Sequence, residues 1–301
     1  MKKSTAFFFA IILLGLLGAS LSLVIQRSTG DSIKPVKGDS IREVPKANLL
    51  FDSMGPASDT TLLINRVKVL IRTPNLVAAK GTFLLLPGWN FPPDDWCLKT
   101  AICKKLVDLG YFVVMPDMGK SVYQEQIFPE TRADWRHEPT RKWLTDTVIV
   151  VLQKQFGLLL PGARNFIVGL STGARGVALV VLDLPNVFTG AAALSGDYDQ
   201  TLLPHDRLMT GFYGPYLKFK ERWKSTDNVI ARINSFQTPL YLGHGTLDKT
   251  CTPKQTQMLF DSLRKNHPNL KLRLNMPKAG HDYHYWGSEV MNLMAFFGEI
   301  K

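Results

Sequence analysis

The chain has 301 residues, 45% of them hydrophobic and 20% charged, with a formal net charge of +11. That balance belongs to an ordinary globular protein and excludes a low-complexity or wholly disordered chain. The Lys and Arg excess is spread along the sequence without a dense basic run interleaved with aromatics, so nucleic acid is not an expected partner.

Lys2 and Lys3 precede an apolar run, residues 6–25, whose only polar members are Ser20 and Ser22. A short basic region followed by an apolar one reads as an export signal, and the rest of the chain is expected outside the cytoplasm, secreted, periplasmic or facing away from it on a membrane. The small residues Gly18, Ala19, Ser20 and Ser22 suit a cleavage site, while the 20-residue length equally suits an uncleaved membrane tether. Residues 1–25 are therefore read as signal peptide or anchor, 26–60 as a linker rich in Ser, Pro, Asp and Lys, and 61–301 as the folded domain.

From residue 62 onward, β-rich runs at 62–71, 82–86, 112–115, 166–170, 191–194, 240–243 and 270–274 alternate with helical stretches. Alternation of this kind predicts an α/β fold with a mostly parallel central sheet and helices on both faces. The runs at 83–86 and 112–115 are apolar without interruption, as strands buried on both faces should be. One predicted helix, 94–109, carries Cys97 and Cys103. Six residues apart on a single helix they would lie about 9 Å apart along its axis, too far to bridge, and no disulfide is expected. No His/Cys spacing suits a metal, and no cofactor is expected.

Open α/β sheets do their chemistry beyond the carboxyl ends of the strands, so each strand end is a candidate site. Behind the run at 166–168 stands Gly169-Leu170-Ser171-Thr172-Gly173, a strand leading into a sharp turn with a serine at its tip. Glycines on both sides suit a strained strand-to-helix turn where a Cβ would collide with neighbouring backbone. Pro87-Gly88-Trp89-Asn90 follows the second run as a tight turn with backbone N–H groups over the sheet edge. Pro116-Asp117 follows the third, with Asp117 expected to bond local amides. His244-Gly245-Thr246-Leu247-Asp248 follows the sixth. Thr252, Pro253 and Gln255 read as a capping box that starts a helix at Pro253, which leaves Asp248 between a strand end and a helix start.

Of the three later histidines, His267 lies in a turn at the wrong end of the sheet and His284 reads as a wall or surface residue. His281 follows Ala279-Gly280, where the glycine is expected to give the backbone room to turn the imidazole inward. These residues compose one mechanism: Ser171 as nucleophile, His281 as general base and acid, Asp248 to orient the imidazole, and the N–H groups of Thr172 and Trp89 as donors to an oxyanion.

The order Ser, Asp, His together with GxSxG resembles the α/β-hydrolase fold. Two longer stretches resemble its esterase D branch, which includes formylglutathione hydrolases, feruloyl and acetylxylan esterases, siderophore esterases and mycolyltransferases. The first is Gly169-Leu170-Ser171-Thr172-Gly173 continuing through Pro185-Asn186-Val187-Phe188 to Ala191-Ala192-Ala193-Leu194-Ser195-Gly196. The second is Ala279-Gly280-His281-Asp282-Tyr283-His284-Tyr285-Trp286. The resemblance implies the same roles for Ser171, Asp248, His281, Thr172 and Trp89, and a small-molecule or glycan-linked ester as substrate.

The chain departs from the family in having Pro87-Gly88 for the usual His-Gly and Thr172 for a bulkier residue. Arg175, unusual early in its helix, is expected at the surface. Two aromatic-rich stretches, 121–141 and 199–223, are candidates for substrate-lining insertions, the second also for a minor core. Acyl transfer or peptide cleavage by the same three residues, and an inactive binding module on the same fold, are the alternatives. Oligomeric state is left unassigned.

Overall fold

A computed structural model describes the backbone of residues 23–27 and the residues 59–74 and 78–300. The described strands form one sheet in the order β1-β2-β3-β5-β4-β6-β7-β8-β9. They are β1 (Leu23–Arg27), β2 (Thr60–Ile64), β3 (Val67–Arg72), β4 (Gly81–Leu86), β5 (Tyr111–Pro116), β6 (Asn165–Leu170), β7 (Gly190–Leu194), β8 (Leu240–Gly243) and β9 (Leu272–Asn275). From β5 to β9 every neighbouring pair is parallel, and β1, β2 and β3 add antiparallel at one edge. Apart from β1, which takes in the last residues of the predicted leader and the first of the linker, those two segments lie almost wholly outside the described residues.

The period-two geometry of a strand explains the two cores. Leu84, Leu86, Phe112, Val114, Ile167, Ala191, Ala193, Leu240 and Leu242 point to one face. There they meet α3 (Ile149–Phe156), α4 (Thr172–Asp183) and α7 (Pro253–Asn266). Their neighbours Phe83, Leu85, Val113, Met115, Phe166, Val168, Ala192, Leu194 and Tyr241 point to the other. That face is covered by α1 (Asp95–Lys99), α2 (Ile102–Asp108), α8 (Tyr283–Ser288) and α9 (Val290–Gly298). Both faces are helix-covered, so β4 to β8 are buried along almost their whole lengths, as the uninterrupted apolar runs at 83–86 and 112–115 predict.

Two local expectations are corrected. The run at 62–71 is a hairpin, β2 and β3 joined at Asn65 and Arg66, both with positive φ (51° and 68°). Its two-residue turn lacks the glycine that usually announces one. The predicted helix 94–109 breaks at Thr100, whose backbone is extended (φ −139°, ψ 167°). The Thr100 hydroxyl donates to the Trp96 carbonyl and accepts the Ile102 N–H at 3.2 Å, competing with the helix for its own backbone groups. The break folds α1 and α2 against each other, brings the Cα atoms of Cys97 and Cys103 to 5.0 Å, and the two cysteines form a disulfide.

The two aromatic-rich stretches pack together as an accessory lobe built around α5 (Arg207–Tyr213) and α6 (Lys220–Trp223), with a core of Val122, Trp135, Met209, Phe212, Tyr213 and Trp223. The lobe rests on the carboxyl end of the sheet. There the chain leaves β4 for β5 on one side and returns as β6 on the other, the switch point at which such sheets form a crevice.

Candidate active site

Ser171 stands between β6 and α4 with φ 55° and ψ −126°, a conformation sparsely populated by residues with a Cβ. Its N–H donates to the Leu194 carbonyl at 2.8 Å, which fixes the turn to β7. Both flanking glycines are required sterically. A Cβ on Gly169 would lie 2.3 Å from the Gly173 carbonyl oxygen, and one on Gly173 would lie 2.5 Å from the carbonyl oxygens of Leu86 and Pro87.

Asp248 lies on the loop between β8 and α7. Its Oδ1 accepts the N–H groups of Thr250 (2.8 Å) and Cys251 (2.9 Å). Oδ2 stands 2.6 Å from His281 Nδ1, and His281 Nε2 stands 2.9 Å from Ser171 Oγ. Residues 110 positions apart in the chain thus share one hydrogen-bonded line. Burial opposes ionisation of Asp248, but hydrogen bonds from His244, His281 and the Cys251 N–H outweigh it and hold the carboxyl well below the usual aspartate range.

The loop bearing His281 is stitched to the Asp248 loop by Thr246 N–H to Pro277 O (2.8 Å) and Leu247 N–H to Ala279 O (2.9 Å). The glycine this junction needs is Gly245, where a Cβ would lie 2.3 Å from the Ala279 carbonyl oxygen. Gly280, expected to be the pivot, has no positive φ, and a Cβ there would meet only Asp282 Oδ2 at 3.3 Å. The expected capping box is also replaced. Helix α7 does start at Pro253, but Gln255 turns away from Thr252, and its Oε1 accepts the N–H groups of Tyr198 (3.0 Å) and Asp199 (2.9 Å).

The turn 87–90 lies against the serine: a Cβ on Gly88 would be 3.1 Å from Ser171 Cβ. Asn90 N–H is taken by the Gly119 carbonyl (2.7 Å), whereas the N–H groups of Trp89 and Thr172 donate to no acceptor among the described residues. The Trp89 ring packs edge-on against Trp135 (4.8 Å) and Phe212 (5.9 Å) of the lobe. Phe91, Tyr283 and Trp286 form a second aromatic wall, and Trp286 stands edge-on to His281 at 5.1 Å. A cavity of about 420 Å³, lined in part by Asn90, Phe91, Pro93 and Asp94, opens beside the same turn.

Other predicted residues take different places. Asp117 accepts the Gly119 N–H (3.1 Å), His267 bonds the Ile233 carbonyl (2.7 Å), and His284 is exposed. Arg175, expected at the surface, is wholly buried. Its guanidinium reaches Asp197 (3.2 Å), Gln200 (3.1 Å) and Tyr213 (3.3 Å), and so ties α4 to the lobe. His244, on the Asp248 loop, is the site residue that sequence reasoning passed over. A histidine four residues before the acid is the signal that was available. No group of three His, Cys, Asp or Glu side chains among the described residues is placed to hold a metal ion.

A mostly parallel sheet covered on both faces, with Ser171, His281 and Asp248 gathered at its carboxyl end, defines a protein of the α/β-hydrolase fold. Residues 100–300, about two thirds of the chain, match the prolyl oligopeptidase family, and the chain belongs to that family. It is by that membership a hydrolase of the serine class.

Solved structures share the fold at low identity. An S-formylglutathione hydrolase from Agrobacterium tumefaciens is 14% identical with a TM-score of 0.66, the match covering 83% of this chain and 98% of that one. The fluorophosphonate-binding serine hydrolase F of Staphylococcus aureus is 14% identical with a TM-score of 0.60, covering 92% and 98%. MPT51 of Mycobacterium tuberculosis is 17% identical with a TM-score of 0.61, covering 78% and 94%. No curated protein matches the chain significantly in sequence.

Proposed function

We propose that the protein is a serine esterase that cleaves small-molecule or glycan-linked carboxylic esters through an acyl-Ser171 intermediate. The observation that carries this is the line of hydrogen bonds from Ser171 Oγ through His281 to Asp248, 2.9 and 2.6 Å long. In this reading His281 Nε2 takes the hydroxyl proton as Oγ attacks the ester carbonyl, then passes it to the departing alcohol. Water, deprotonated by the same imidazole, releases the acid and restores the serine. Asp248 stays ionised and steadies the imidazolium between the two transfers. The free N–H groups of Trp89 and Thr172 serve the oxyanion, each worth about 3 kcal/mol in such a site. The two stretches resembling the esterase D branch, and structural neighbours named S-formylglutathione hydrolase and ferulic acid esterase, support ester over amide.

The family match favours a second reading, peptide cleavage by the same residues. A panel of p-nitrophenyl esters graded by chain length, run beside chromogenic peptides and acetylated or feruloylated sugars, separates the two. Turnover of esters alone is expected; turnover of peptides alone overturns the ester reading. Sugar or alcohol acceptors added to the same reactions reveal acyl transfer. Labelling by a fluorophosphonate that persists in Ser171→Ala would overturn both, and an unlabelled, inactive wild type would leave the binding module.

We also propose that the chain is exported. The basic and apolar N-terminal segment supports this, as does the Cys97–Cys103 disulfide, a bond that persists in oxidising compartments. Strand β1 begins at Leu23, directly after the stretch holding the small residues Gly18, Ala19, Ser20 and Ser22, which favours a cleaved leader over a tether through residue 25. N-terminal sequencing of the protein recovered outside the cytoplasm decides between them.

A further inference from the structure

Asp248 faces a second imidazole. His244, at the end of β8, is buried, and its Nε2 lies 3.2 Å from Asp248 Oδ2, the oxygen that also receives His281 Nδ1. The same Nε2 lies 3.0 Å from the Cys251 carbonyl oxygen. A carboxylate and a carbonyl are both acceptors, so this nitrogen carries a proton, hydrogen-bonded to the Cys251 carbonyl oxygen with Asp248 Oδ2 facing it alongside. On the far side of the ring, Nδ1 stands 2.6 Å from Thr256 Oγ1 of α7, a hydroxyl able to donate to it and hold the ring in that tautomer. Asp248 is thus surrounded by four N–H groups, those of Thr250 and Cys251 bonded to Oδ1, that of His281 on Oδ2, and that of His244 3.2 Å from Oδ2.

We infer that His244 is a positioning residue for the reaction: it fixes Asp248 Oδ2 on the line to His281 and tunes how strongly that carboxylate supports the imidazolium formed during turnover. The inference rests on the reading of Ser171, His281 and Asp248 as the reacting set. A donor on Oδ2 does two opposed things. It orients the oxygen, and it shares the charge that would otherwise act on His281 alone. Without it, the carboxylate moves more freely and, when aligned, holds a protonated His281 more strongly.

Of the other titratable groups nearby, Cys251 on the same loop and Tyr285 on α8 interact with Asp248, and Asp197 and Tyr198 after β7 and Asp206 before α5 act on those two in turn. Burial pushes Tyr198, Cys251 and Tyr285 up, so these three remain uncharged where activity is read.

The test is the pH profile of kcat/KM for ester hydrolysis in wild type, His244→Phe and His244→Gln, with active sites titrated by a fluorophosphonate. His244→Phe fills the space without a donor, and His244→Gln returns an N–H at similar reach. In His244→Phe, kcat per titrated site is expected to fall roughly tenfold to hundredfold at constant KM, well short of the ~10⁴ lost when the orienting Asp itself is changed. Its acidic limb is expected to move up by about half a pH unit or more, because protonated His281 is now favoured. His244→Gln is expected to recover most of both.

An acidic limb that stays in place in both variants, per titrated site, overturns the inference, since a purely structural role lowers the titrated fraction and leaves the profile alone. Should His244→Phe fail to fold, Thr256→Val, which frees the tautomer, is read the same way: a raised limb supports the role and an unmoved one overturns it. Full activity in Ser171→Ala would overturn the underlying reading and this inference together, whereas an inactive Ser171→Ala with unmoved limbs overturns this inference alone.

Discussion

Two regions meet at Ser171 and are held there by different forces. On the sheet side, β4, β6 and β7 pack against their helices through Leu84, Leu86, Ile167, Ala191, Ala193, Val177 and Val181, all buried and apolar. On the other side the accessory lobe is fastened by buried charge. Arg141 spans Asp183 and Asp227, Arg175 reaches Asp197, and Tyr213 bonds Asp227 at 3.1 Å. Apolar packing degrades gradually when a side chain shrinks, whereas a buried ion pair that loses one partner strands the other in a medium that cannot solvate it. The lobe should therefore fail abruptly to single charge deletions that the sheet never faces. Activity should fail independently of both when the chemistry alone is removed.

The largest expected effect lies in that last class. Ser171→Ala removes one oxygen from a residue that bears no packing load, and kcat is expected to drop by about 10⁶ with the unfolding midpoint nearly unchanged. Stopped assays of ester hydrolysis beside urea unfolding check both halves. A large stability change would mean that the turn, and not the hydroxyl, holds the site together.

Next comes Arg175→Met, which keeps volume and deletes the charge. About 3–5 kcal/mol of stability should be lost, read by urea unfolding, with proteolytic nicking of the lobe before the sheet. Burial already pushes the Asp197 carboxyl up against the pull of Arg175. Without the arginine, Asp197 folds most easily with a proton on it. A folded-state value above the unfolded one means that stability is lost as pH rises past the unfolded value near about 4. The deficit of Arg175→Met should therefore widen between pH 4 and 7. A deficit independent of pH would show that Asp197 finds another partner.

How much of this was legible in the sequence follows the same division. Strands buried on both faces advertise themselves as apolar runs, and the sheet appears where 83–86, 112–115 and 166–168 place it. Ser171 and its flanking glycines were legible because the steric need of the turn is local. Arg175 was not, because a guanidinium in a helix reads as solvent-facing unless its acceptors are known. Those acceptors, at 197, 200, 213 and 227, lie 22 to 52 residues away, on loops, a single helical turn and the last residue of α5, with no shared periodicity. His244 escaped for a similar reason: its partners Asp248 and Thr256 are near in sequence, but only the fold of the loop turns the ring toward them. The disulfide was hidden by Thr100, a residue that any helical pattern tolerates and whose hydroxyl breaks this one.

On the sheet side, that disulfide is the one covalent tie among the described residues. Closing so short a loop restrains the unfolded chain by about 2 kcal/mol, so Cys103→Ser, or wild type held in dithiothreitol, should lose about that much. The lobe should be untouched, and Arg175→Met and Cys103→Ser should add without coupling if the two regions are as separate as their packing implies.

The smallest expected effect addresses the point where they are not separate. Tyr123 belongs to the lobe, has φ 57°, and reaches across α4, where only a glycine at 176 leaves room for its ring. Its hydroxyl donates to the Pro87 carbonyl at 2.9 Å, on the turn that presents the Trp89 N–H. Burial pushes this phenol well above its ordinary range, so the hydroxyl remains a donor at any working pH. Tyr123→Phe deletes that one bond, worth about 1 kcal/mol, and leaves the ring in place. If the lobe steadies the turn, kcat should fall a few-fold with KM nearly constant, because a donor aimed at the oxyanion counts only in the transition state. If kcat holds and only stability falls, the Tyr123 bond is a fastening like those of Arg141 and Arg175, and the lobe leaves the chemistry to the sheet.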